Sequence, residues 1–502
     1  MDQTNSALWF SIALLFIISV ITMIGRHRTA VNPTCNRPPP PVVSGCSLIG
    51  ILHTFLAKGM RAMIHDHYTQ LGSVFTINFF GLKVTFLIGP EVLGHFYQGL
   101  ESDISLGDVL KFAVPMFGKE VLYGVDIATR NEQTRFYVDA LKPSKLRSHV
   151  GPMLHEVEDY FSKWKQQGTV DLKGELAKLL MLISSRCLIG REVREKMAKE
   201  FYTLFCQLSD NGLCLTSILF PYAPTLANYR RDKARAKLSA ILIKIVRSRK
   251  SSNQVEQDML QNLIDSKYSD NRSTTEAEVI GLILNLIFAG THTSSAASAW
   301  TGVCLLRNER FMRAIRDEQK QIIQKYKGHI NYDALMEMET LQRCIKEALR
   351  MHPPTAANFR KVHKNFVVQT KEGDEYEIPR GHIIASPIEF NSNIPHIYKD
   401  PDIYDPDRFG PGREEDKVGG KYSYTAFSGG RHACVGEAYA YMQIKIIWSH
   451  LLRNFDLKLV SPYPKTDRSK LALEPKGKIM VRGYIYEKQH MLFSIWVGMV
   501  VT

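Results

Sequence analysis

The chain has 502 residues, of which 45% are hydrophobic and 23% charged, as in an ordinary globular protein with a large core. Its net charge of +14 fits an anionic membrane or an acidic docking partner, while the dispersed basic residues and the lack of a binding motif argue against nucleic acid. The eight cysteines form no Cys-x-x-Cys pair, which argues against zinc and against a disulfide scaffold.

The N-terminal segment predicts a membrane anchor. An almost uncharged run, Ala7–Ile24, is nearly long enough to span a bilayer and is followed by the basic stretch Arg26–Arg28. Basic residues on this side place the rest of the chain in the cytoplasm. A cleaved signal peptide is the alternative, but the first residues lack the positive charge that such peptides carry. We predict an anchor over residues 1–28 and a proline-rich spacer over residues 29–45.

The next segments predict a mainly α-helical fold with small β-sheets. Residues 74–79 and 84–89 read as a hairpin. From residue 139 to about 264, apolar residues recur every three or four positions and predict helices. One of these, from Arg230 to Arg249, is basic and amphipathic, with a charged face that is solvated or touches lipid headgroups.

A long uncharged segment, Val279–Leu306, could span a bilayer by its length. Its centre, Thr291–Ser295, is however its most polar part, which does not suit lipid. The preceding Thr275–Glu278 has the pattern of a capping box, which is typical of a soluble helix start. We therefore predict one long helix buried in the core.

Later segments predict more helices to about Met351, short strands at residues 366–369 and 375–378, and a final strand at residues 478–481. The apolar tail at residues 488–502 has no predicted role, and its run of eleven residues is too short to span a membrane.

The most informative loop is residues 427–436, FSGGRHACVG, which presents Cys434. Its glycines allow a tight turn and close approach to a flat ring. Its basic residues can favour a thiolate and pair with a cofactor's acidic groups. Haem held by a cysteine thiolate favours O–O cleavage. The alternative is a glycine turn with a buried cysteine. We predict that Cys434 is the axial ligand of a haem iron.

A second motif lies in the long helix, where Ala289 and Gly290 precede several hydroxyl residues. These small residues form a notch that admits a flat cofactor, and a hydroxyl there can hold water or dioxygen. The alternative is small residues packed at a helix crossing, with a core histidine.

These motifs resemble the cytochrome P-450 superfamily over about residues 35–485. The chain is most similar to the sterol 14α-demethylase family, particularly its plant, obtusifoliol 14α-demethylase-like form. The family's oxygen-side motif matches residues 289–295, with histidine where most members of the superfamily have an acid. His432 is also typical of the family, and residues 437–457 resemble the helix that follows the ligand.

The resemblance implies a cytochrome P-450 fold with one haem-thiolate monooxygenase domain over residues 46–487. It implies haem b, dioxygen, and electrons from NADPH through NADPH–cytochrome P-450 reductase, with a lipophilic sterol or triterpenoid as substrate. It also implies a monomer in the endoplasmic reticulum membrane, with a single-pass anchor and the catalytic domain in the cytosol.

The resemblance assigns site residues position by position. The catalytic candidates are Thr293, on the oxygen side, with His292 as a relay member that can titrate near neutral pH, and Ser294. Tyr123, Arg360 and His432 would meet the haem propionates, with Arg135 as a further candidate. The cofactor-binding candidates together are Cys434, Phe427, Gly430, His432, Gly436, Arg360, Tyr123, Arg135 and Gly290.

Glu347 and Arg350 are three residues apart and share a helix face, a spacing that on its own is typical of a surface salt bridge. The resemblance makes them the Glu-x-x-Arg element of the superfamily. It implies a buried structural network with Arg408 that supports the ligand loop.

The substrate-contact candidates depart from the family pattern. Leu110 stands where the family has tyrosine, Gly124 replaces an aspartate, and Asn285 adds a polar group to the long helix. Residues 355–359 replace a segment that is mostly Ile, Leu and Met. The candidates are Leu110, Phe112, Phe117, Gly124, Asn285, Ala289, Thr355, Ala356, Ala357, Asn358 and Phe359.

Smaller and more polar side chains at the substrate site bury less apolar area against a steroid. Their donors and acceptors favour a substrate that carries oxygen-containing groups. The departures resemble a divergent monocot branch of the family that makes specialised triterpenes. A β-amyrin-type triterpene hydroxylase or epoxidase therefore stands beside a sterol 14α-demethylase, and a haem-binding sensor is the non-enzymatic alternative.

Overall fold

A computed structural model describes residues 37–43, 60–79, 81–252, 256–468 and 472–485. The predicted anchor at residues 1–28, most of the predicted spacer and the apolar tail lie outside these described residues. The described end of the spacer is part of the fold, because the backbone N–H of Glu377 donates to the carbonyl of Pro38 over 3.0 Å.

Helices make up most of the described residues, which confirms the predicted fold class. In chain order they are α1 Met60–Leu71, α2 Gly94–Gln98, α3 Val114–Phe117, α4 Ile127–Ala140, α5 Pro143–Phe161, α6 Leu172–Ser184, α7 Arg191–Lys196, α8 Ala198–Gly212, α9 Leu215–Leu219, α10 Leu226–Ser252, α11 Met259–Asp265, α12 Glu276–Leu306, α13 Glu309–Lys325, α14 Tyr332–Met336, α15 Glu339–Met351, α16 Ile388–Asn391, α17 Glu415–Val418 and α18 Glu437–Asn454.

The strands are short. In chain order they are β1 Val42–Val43, β2 Val74–Phe79, β3 Leu82–Leu87, β4 Ile104–Ser105, β5 Gln167–Asp171, β6 Asn358–Val362, β7 Phe366–Gln369, β8 Glu375–Ile378, β9 Ile383–Ser386, β10 Phe455–Leu459, β11 Thr466–Asp467, β12 Glu474–Pro475 and β13 Met480–Ile485. The predicted hairpin forms with its second strand two residues early, and β7 and β8 match their predicted bounds.

The chain divides into two compact units, which we call the sheet unit and the helical unit. The sheet unit comprises the described residues up to Val109 with Ala356–Pro401 and Glu415–Ala433. It contains a six-stranded sheet of order β1-β2-β3-β9-β6-β4 and the β7–β8 hairpin. In this sheet β9 pairs in parallel with β3 and antiparallel with β6, which fixes the position of Arg360 opposite Ile384.

The helical unit comprises Leu110–Thr355, Asp402–Glu414 and the described residues from Cys434 onward. Its central element is α12. The predicted capping box is present, because the Thr275 hydroxyl accepts from the backbone N–H of Glu278 and the Glu278 carboxylate accepts from that of Thr275. In the described residues α12 is long and apolar enough to cross a membrane, but 72% of its most apolar window is buried. The long helix is therefore a core helix, as predicted.

The basic helix forms as part of α10, but its basic residues are not all solvated. Arg249 is 4% exposed and bonds to the carboxylates of Glu192 and Asp258 over 2.8 Å. Arg231 is 2% exposed. The prediction of a solvated or lipid-facing basic face is wrong at these two positions, because carboxylates from other segments neutralise Arg249 inside the unit.

Candidate active site

Cys434 lies between a tight turn, Gly430–His432, and the start of α18. The N-cap of α18 is Gly436, so the cysteine lies just before the positive end of an 18-residue helix. The side chain of Cys434 is accessible. A ligand can therefore reach the sulfur, unlike the buried thiols of Cys187, Cys304 and Cys344.

The pKa of the Cys434 thiol is raised above its ordinary value, mainly because the surrounding protein desolvates the thiolate. A hydrogen bond from the backbone N–H of Gly436 acts in the opposite direction, and the charge of Glu437 raises the pKa further. In the protein without a metal, desolvation therefore outweighs the groups that favour the thiolate. A bound metal cation would supply that stabilisation instead.

The loop before the cysteine requires a glycine at Gly430. This residue has a φ of +58°, and a Cβ atom there would lie 2.4 Å from the carbonyl oxygen of Tyr97. Two residues before Gly430, Ser428 also has a positive φ, of 63°. Its hydroxyl accepts a hydrogen bond from the Asn358 amide over 3.3 Å. The backbone of the loop is therefore fixed by close contact within the sheet unit.

We expect Gly430→Ala to lower the free energy of unfolding by about 3 kcal/mol, from left-handed strain and overpacking against Tyr97. Gly72→Ala is the matched control, because Gly72 has a φ of +79° with no atom within 4 Å of its Cβ position. The control should lose only about 1 kcal/mol. Equal losses in chemical denaturation would show that the Tyr97 contact does not hold the loop.

Two predicted propionate partners lie in the sheet unit. Arg360, on β6, is 2% exposed; its Nη1 donates to the Phe359 carbonyl over 2.8 Å, and its guanidinium lies 5.1 Å from the centre of the Phe96 ring. Burial and the charge of Arg360 lower the pKa of His432 to about 4. Among the described residues, the buried Nε2 of His432 has no hydrogen-bond partner. These two side chains offer a buried cation and an unused ring nitrogen.

Arg135 is placed differently. Its side chain is 50% exposed and its Nη2 lies 3.4 Å from both the Glu132 carboxylate and the Lys267 carbonyl. Arg135 therefore forms an exposed salt bridge with Glu132, which is three residues earlier on the same helix. This geometry gives no support for a role at the cofactor.

Tyr123 lies in a strained turn that sequence reasoning did not explain. The preceding Leu122 has a φ of +48°, which is uncommon for a residue with a side chain. The buried Gln133 holds this turn, since its Oε1 accepts from the Leu122 N–H over 2.7 Å and its Nε2 donates to the Glu120 carbonyl. Arg130 also donates to the Leu122 carbonyl. No sequence signal marks these two supports, because both act through backbone atoms.

The notch in α12 is open along one side. Ala289 is exposed and Gly290 and Thr293 are half-buried, although most of the helix around them is buried. A Cβ atom at Gly290 would meet nothing within 4 Å. The Thr293 hydroxyl donates to the Ala289 carbonyl over 2.6 Å, so its oxygen points its lone pairs away from that bond. Ser294 is buried and is turned about 100° from Thr293 around the helix.

The other relay candidate, His292, is half-buried beside two aromatic rings. Its ring stacks on Phe205 with 6.0 Å between centroids and meets Phe288 edge-on at 5.9 Å. These contacts limit the orientations of the imidazole within the helical unit.

Of the substrate-contact candidates in the helical unit, Phe117 lies against α12. Phe117 packs against Phe288 with ring centroids 5.4 Å apart, and its carbonyl lies 2.4 Å from the Cβ position of Gly281. Gly124 is itself tightly packed, because a Cβ there would lie 2.5 Å from the Lys119 carbonyl oxygen. A larger residue at 124 would require a different loop backbone.

The remaining candidates are divided between the two units. Leu110 and Phe112 are half-buried and Thr355 is exposed, all in the helical unit. In the sheet unit Ala357 is buried, while Ala356, Asn358 and Phe359 are half-buried. Phe427 is half-buried in the ligand loop of the same unit.

The Glu347 network is buried in the helical unit. Glu347 accepts from Nε and Nη2 of Arg350 over 2.8 and 2.9 Å and from Nε of Arg408 over 2.9 Å. The backbone N–H of Asp405 donates to the same carboxylate over 3.0 Å. All three charged side chains are at most 1% exposed. One carboxylate therefore ties α15 to the turn Pro406–Phe409.

The site residues fit a haem. Cys434 offers an accessible sulfur for an iron, and the Ala289–Gly290 face offers an open, side-chain-poor surface for a flat ring. The buried Arg360 and the unused Nε2 of His432 suit acidic groups such as propionates. Each of the two units therefore carries side chains whose chemistry suits a haem-thiolate protein.

Comparison with known proteins gives the family. The cytochrome P450 family model matches residues 38–481. The obtusifoliol 14-alpha demethylase of Sorghum bicolor is 52% identical over 88% of this chain and 89% of its own length. The sterol 14-demethylase of Arabidopsis thaliana is 49% identical over 96% of this chain and 98% of its own length. The structure of retinoic acid-bound cyanobacterial CYP120A1 has the same fold, with a TM-score of 0.76 and 22% identity, over 90% of this chain and 100% of its own.

The chain belongs to the cytochrome P450 family, and it is a haem-dependent monooxygenase. The family implies haem iron, dioxygen, and electrons supplied from NADPH through a redox partner. The predictions of fold, enzyme class and cofactors from the sequence are confirmed.

Proposed function

We propose that the chain is a sterol 14α-demethylase that acts on an obtusifoliol-like sterol. The observation that supports this most strongly is 52% identity to the Sorghum bicolor obtusifoliol 14-alpha demethylase over 88% of the chain. The open face of α12 and the accessible sulfur of Cys434 are the features of the site that such an enzyme requires.

In this proposal Cys434 would be the ligand of the haem iron, and the Gly436 N–H is directed toward its sulfur. Arg360, His432 and Tyr123 would hold the acidic groups of the haem, and the missing side chain at Gly290 would leave room for the cofactor. Haem with a thiolate ligand supplies dioxygen activation and C–H oxidation. The residues of the chain exclude water, orient the sterol and deliver protons.

Proton delivery is the role we assign to Thr293 and His292. The Thr293 hydroxyl donates to the Ala289 carbonyl, so its oxygen is free to accept a hydrogen bond from a water molecule or a neighbour. In the relay the hydroxyl leaves Ala289, passes its own proton on and takes the donor's proton in the same step, so that it stays neutral. The imidazole of His292, one residue earlier, is the next group in the relay. Ser294, one residue later, is buried and is the third candidate of this group.

We expect Thr293→Ala to lower product formation about 100-fold while NADPH consumption continues, because proton transfer is lost but electron supply is not. Substrate-binding spectra should be unchanged. Thr293→Ser should restore most of the product yield, since it keeps the hydroxyl. An alanine variant that couples NADPH to product as well as the wild type would refute the role of Thr293.

A second candidate is a β-amyrin-type triterpene hydroxylase or epoxidase. The observation that favours it is Asn285, a polar side chain that is 8% exposed beside the open face of α12. The packed glycine at position 124 also changes the loop that carries Tyr123. Both features change residues proposed to contact the substrate. They leave Cys434 and Thr293, the residues proposed for oxygen activation, unchanged.

We also propose that the monooxygenase domain, residues 46–487, acts as a monomer on the cytosolic face of the endoplasmic reticulum. The supporting features are the apolar run Ala7–Ile24, the basic residues after it and the net charge of +14. These suit a single-pass anchor and an acidic partner, NADPH–cytochrome P-450 reductase.

The test is a titration of the purified full chain with obtusifoliol and with β-amyrin, followed through the Soret band. We expect obtusifoliol at micromolar concentration to shift the Soret band from the position that it has in the substrate-free, water-bound protein. A response to β-amyrin alone would replace the sterol proposal by the second candidate. A response to neither would refute both substrates.

A further inference from the structure

Asn285 is a buried amide without an internal partner. It lies in the N-terminal half of α12 and is 8% exposed, among fully buried neighbours such as Leu284 and Ile287. Within the described part of the chain, no hydrogen bond reaches its side chain, and its amide atoms are not among the fully enclosed polar atoms without a partner. Its two donors and its acceptor are therefore available to a ligand.

Asn285 lies on the same face of α12 as Gly281 and Ala289. Gly281, one turn before it, packs against the Phe117 carbonyl, which lies 2.4 Å from its Cβ position. Ala289, one turn after it, is exposed. Residues four apart share a helix face, so Asn285 stands where the packed part of this face meets the open part.

A structural role does not explain an asparagine here. Asparagine is a poorer helix former than alanine or leucine, and a largely buried amide without protein hydrogen bonds loses part of its hydration. An apolar residue of similar size would stabilise α12 more. The chain therefore keeps a polar group that stabilises nothing in the described protein.

We propose that the Asn285 side chain is a specificity-determining residue that hydrogen-bonds a hydroxyl oxygen of the polycyclic substrate. This inference rests on the proposed function, since it needs a sterol or triterpene beside α12. At 1.5 Å rise per residue, Asn285 lies about 6 Å along the helix from Ala289 and about 12 Å from Thr293. The recognised hydroxyl is therefore remote from the reacting carbon, on the same rigid skeleton.

The test compares wild type with Asn285→Leu, which has a similar volume and no hydrogen-bonding groups. Each protein is titrated with obtusifoliol and with its 3-deoxy analogue, as holoprotein with haem content measured first. We expect wild type to bind the alcohol at least about tenfold tighter than the deoxy compound. In Asn285→Leu this preference should shrink to about twofold or less, with binding of the deoxy compound unchanged or tighter.

The deoxy ligand is the internal control, because a general loss of packing would weaken both ligands equally. Equal weakening of both, or an unchanged preference for the alcohol, would overturn the inference. A second readout is thermal unfolding without ligand, in which Asn285→Leu should be at least as stable as wild type.

Failure of the proposed function gives a different result. If wild type binds neither sterol but binds β-amyrin, the sterol substrate is refuted, and the same comparison is made with β-amyrin and its 3-deoxy analogue. If wild type binds no member of either pair, the proposed function and this inference are both overturned.

Discussion

Cys434→Ser should yield protein without thiolate-ligated haem and without measurable monooxygenase activity. A serine hydroxyl is a hard and weakly acidic ligand that does not replace the soft, electron-donating sulfur. Reduced, carbon-monoxide-treated wild type should show the red-shifted Soret absorption of thiolate haem. The variant should lack it, and its turnover should fall more than about 1000-fold, as expected when a group on which the whole reaction depends is removed.

Cys214→Ser is the matched control for this experiment. Cys214 is half-buried in the helical unit, and its sulfur already lies 3.2 Å from the Thr216 hydroxyl and 3.1 Å from that of Ser217. A serine fits these polar neighbours, so the control should keep its spectrum and activity. A normal thiolate spectrum in Cys434→Ser would mean that another cysteine is the ligand.

Glu347→Ala should produce protein that is less stable by about 3–5 kcal/mol and has lost most of its haem. The reason is that one carboxylate neutralises two arginines that are at most 1% exposed. Its removal leaves both guanidinium groups buried without it, and leaves the Asp405 N–H without its acceptor. Haem content by pyridine haemochromogen and chemical denaturation provide the measurements.

Asp317→Ala is the control for Glu347→Ala. Asp317 and Lys320 also form an (i, i+3) pair, but their side chains are 66% and 72% exposed. Loss of this pair should cost less than about 1 kcal/mol. If Glu347→Ala resembles the control in stability and haem content, the buried network does not support the haem site.

Helix ends and turns that depend on a few neighbouring residues were predicted from the sequence. The capping box at Thr275 fixed the start of α12, and Pro353 after His352 is consistent with the end of α15 at Met351. The turn between β7 and β8 was visible in Gly373, which has a φ of +96°. Each of these signals acts over a few residues, so one sequence suffices to read it.

Elements that depend on distant partners were not predicted. The strand β5 has little strand character, and it forms because it pairs with β13 about 310 residues later in the chain. The burial of Arg249 depends in the same way on Glu192. Such contacts are properties of the tertiary fold and leave no local pattern.

The candidate site shows the same division. The sequence predicted roles for Cys434, Thr293 and Glu347, because the motifs at these positions call for particular side chains. It did not identify Gln133, whose contacts to the loop are to backbone atoms and to Tyr268. The raised pKa of the Cys434 thiol likewise depends on desolvation by the surrounding fold, which leaves no local pattern in the sequence.

The most direct test of the account is product analysis with the full chain, NADPH–cytochrome P-450 reductase, NADPH, dioxygen and obtusifoliol. We expect a 14-demethylated sterol that forms with wild type and is absent with Cys434→Ser. Wild-type protein with a normal thiolate-haem spectrum that leaves obtusifoliol unchanged, or hydroxylates it without loss of the methyl group, would contradict it.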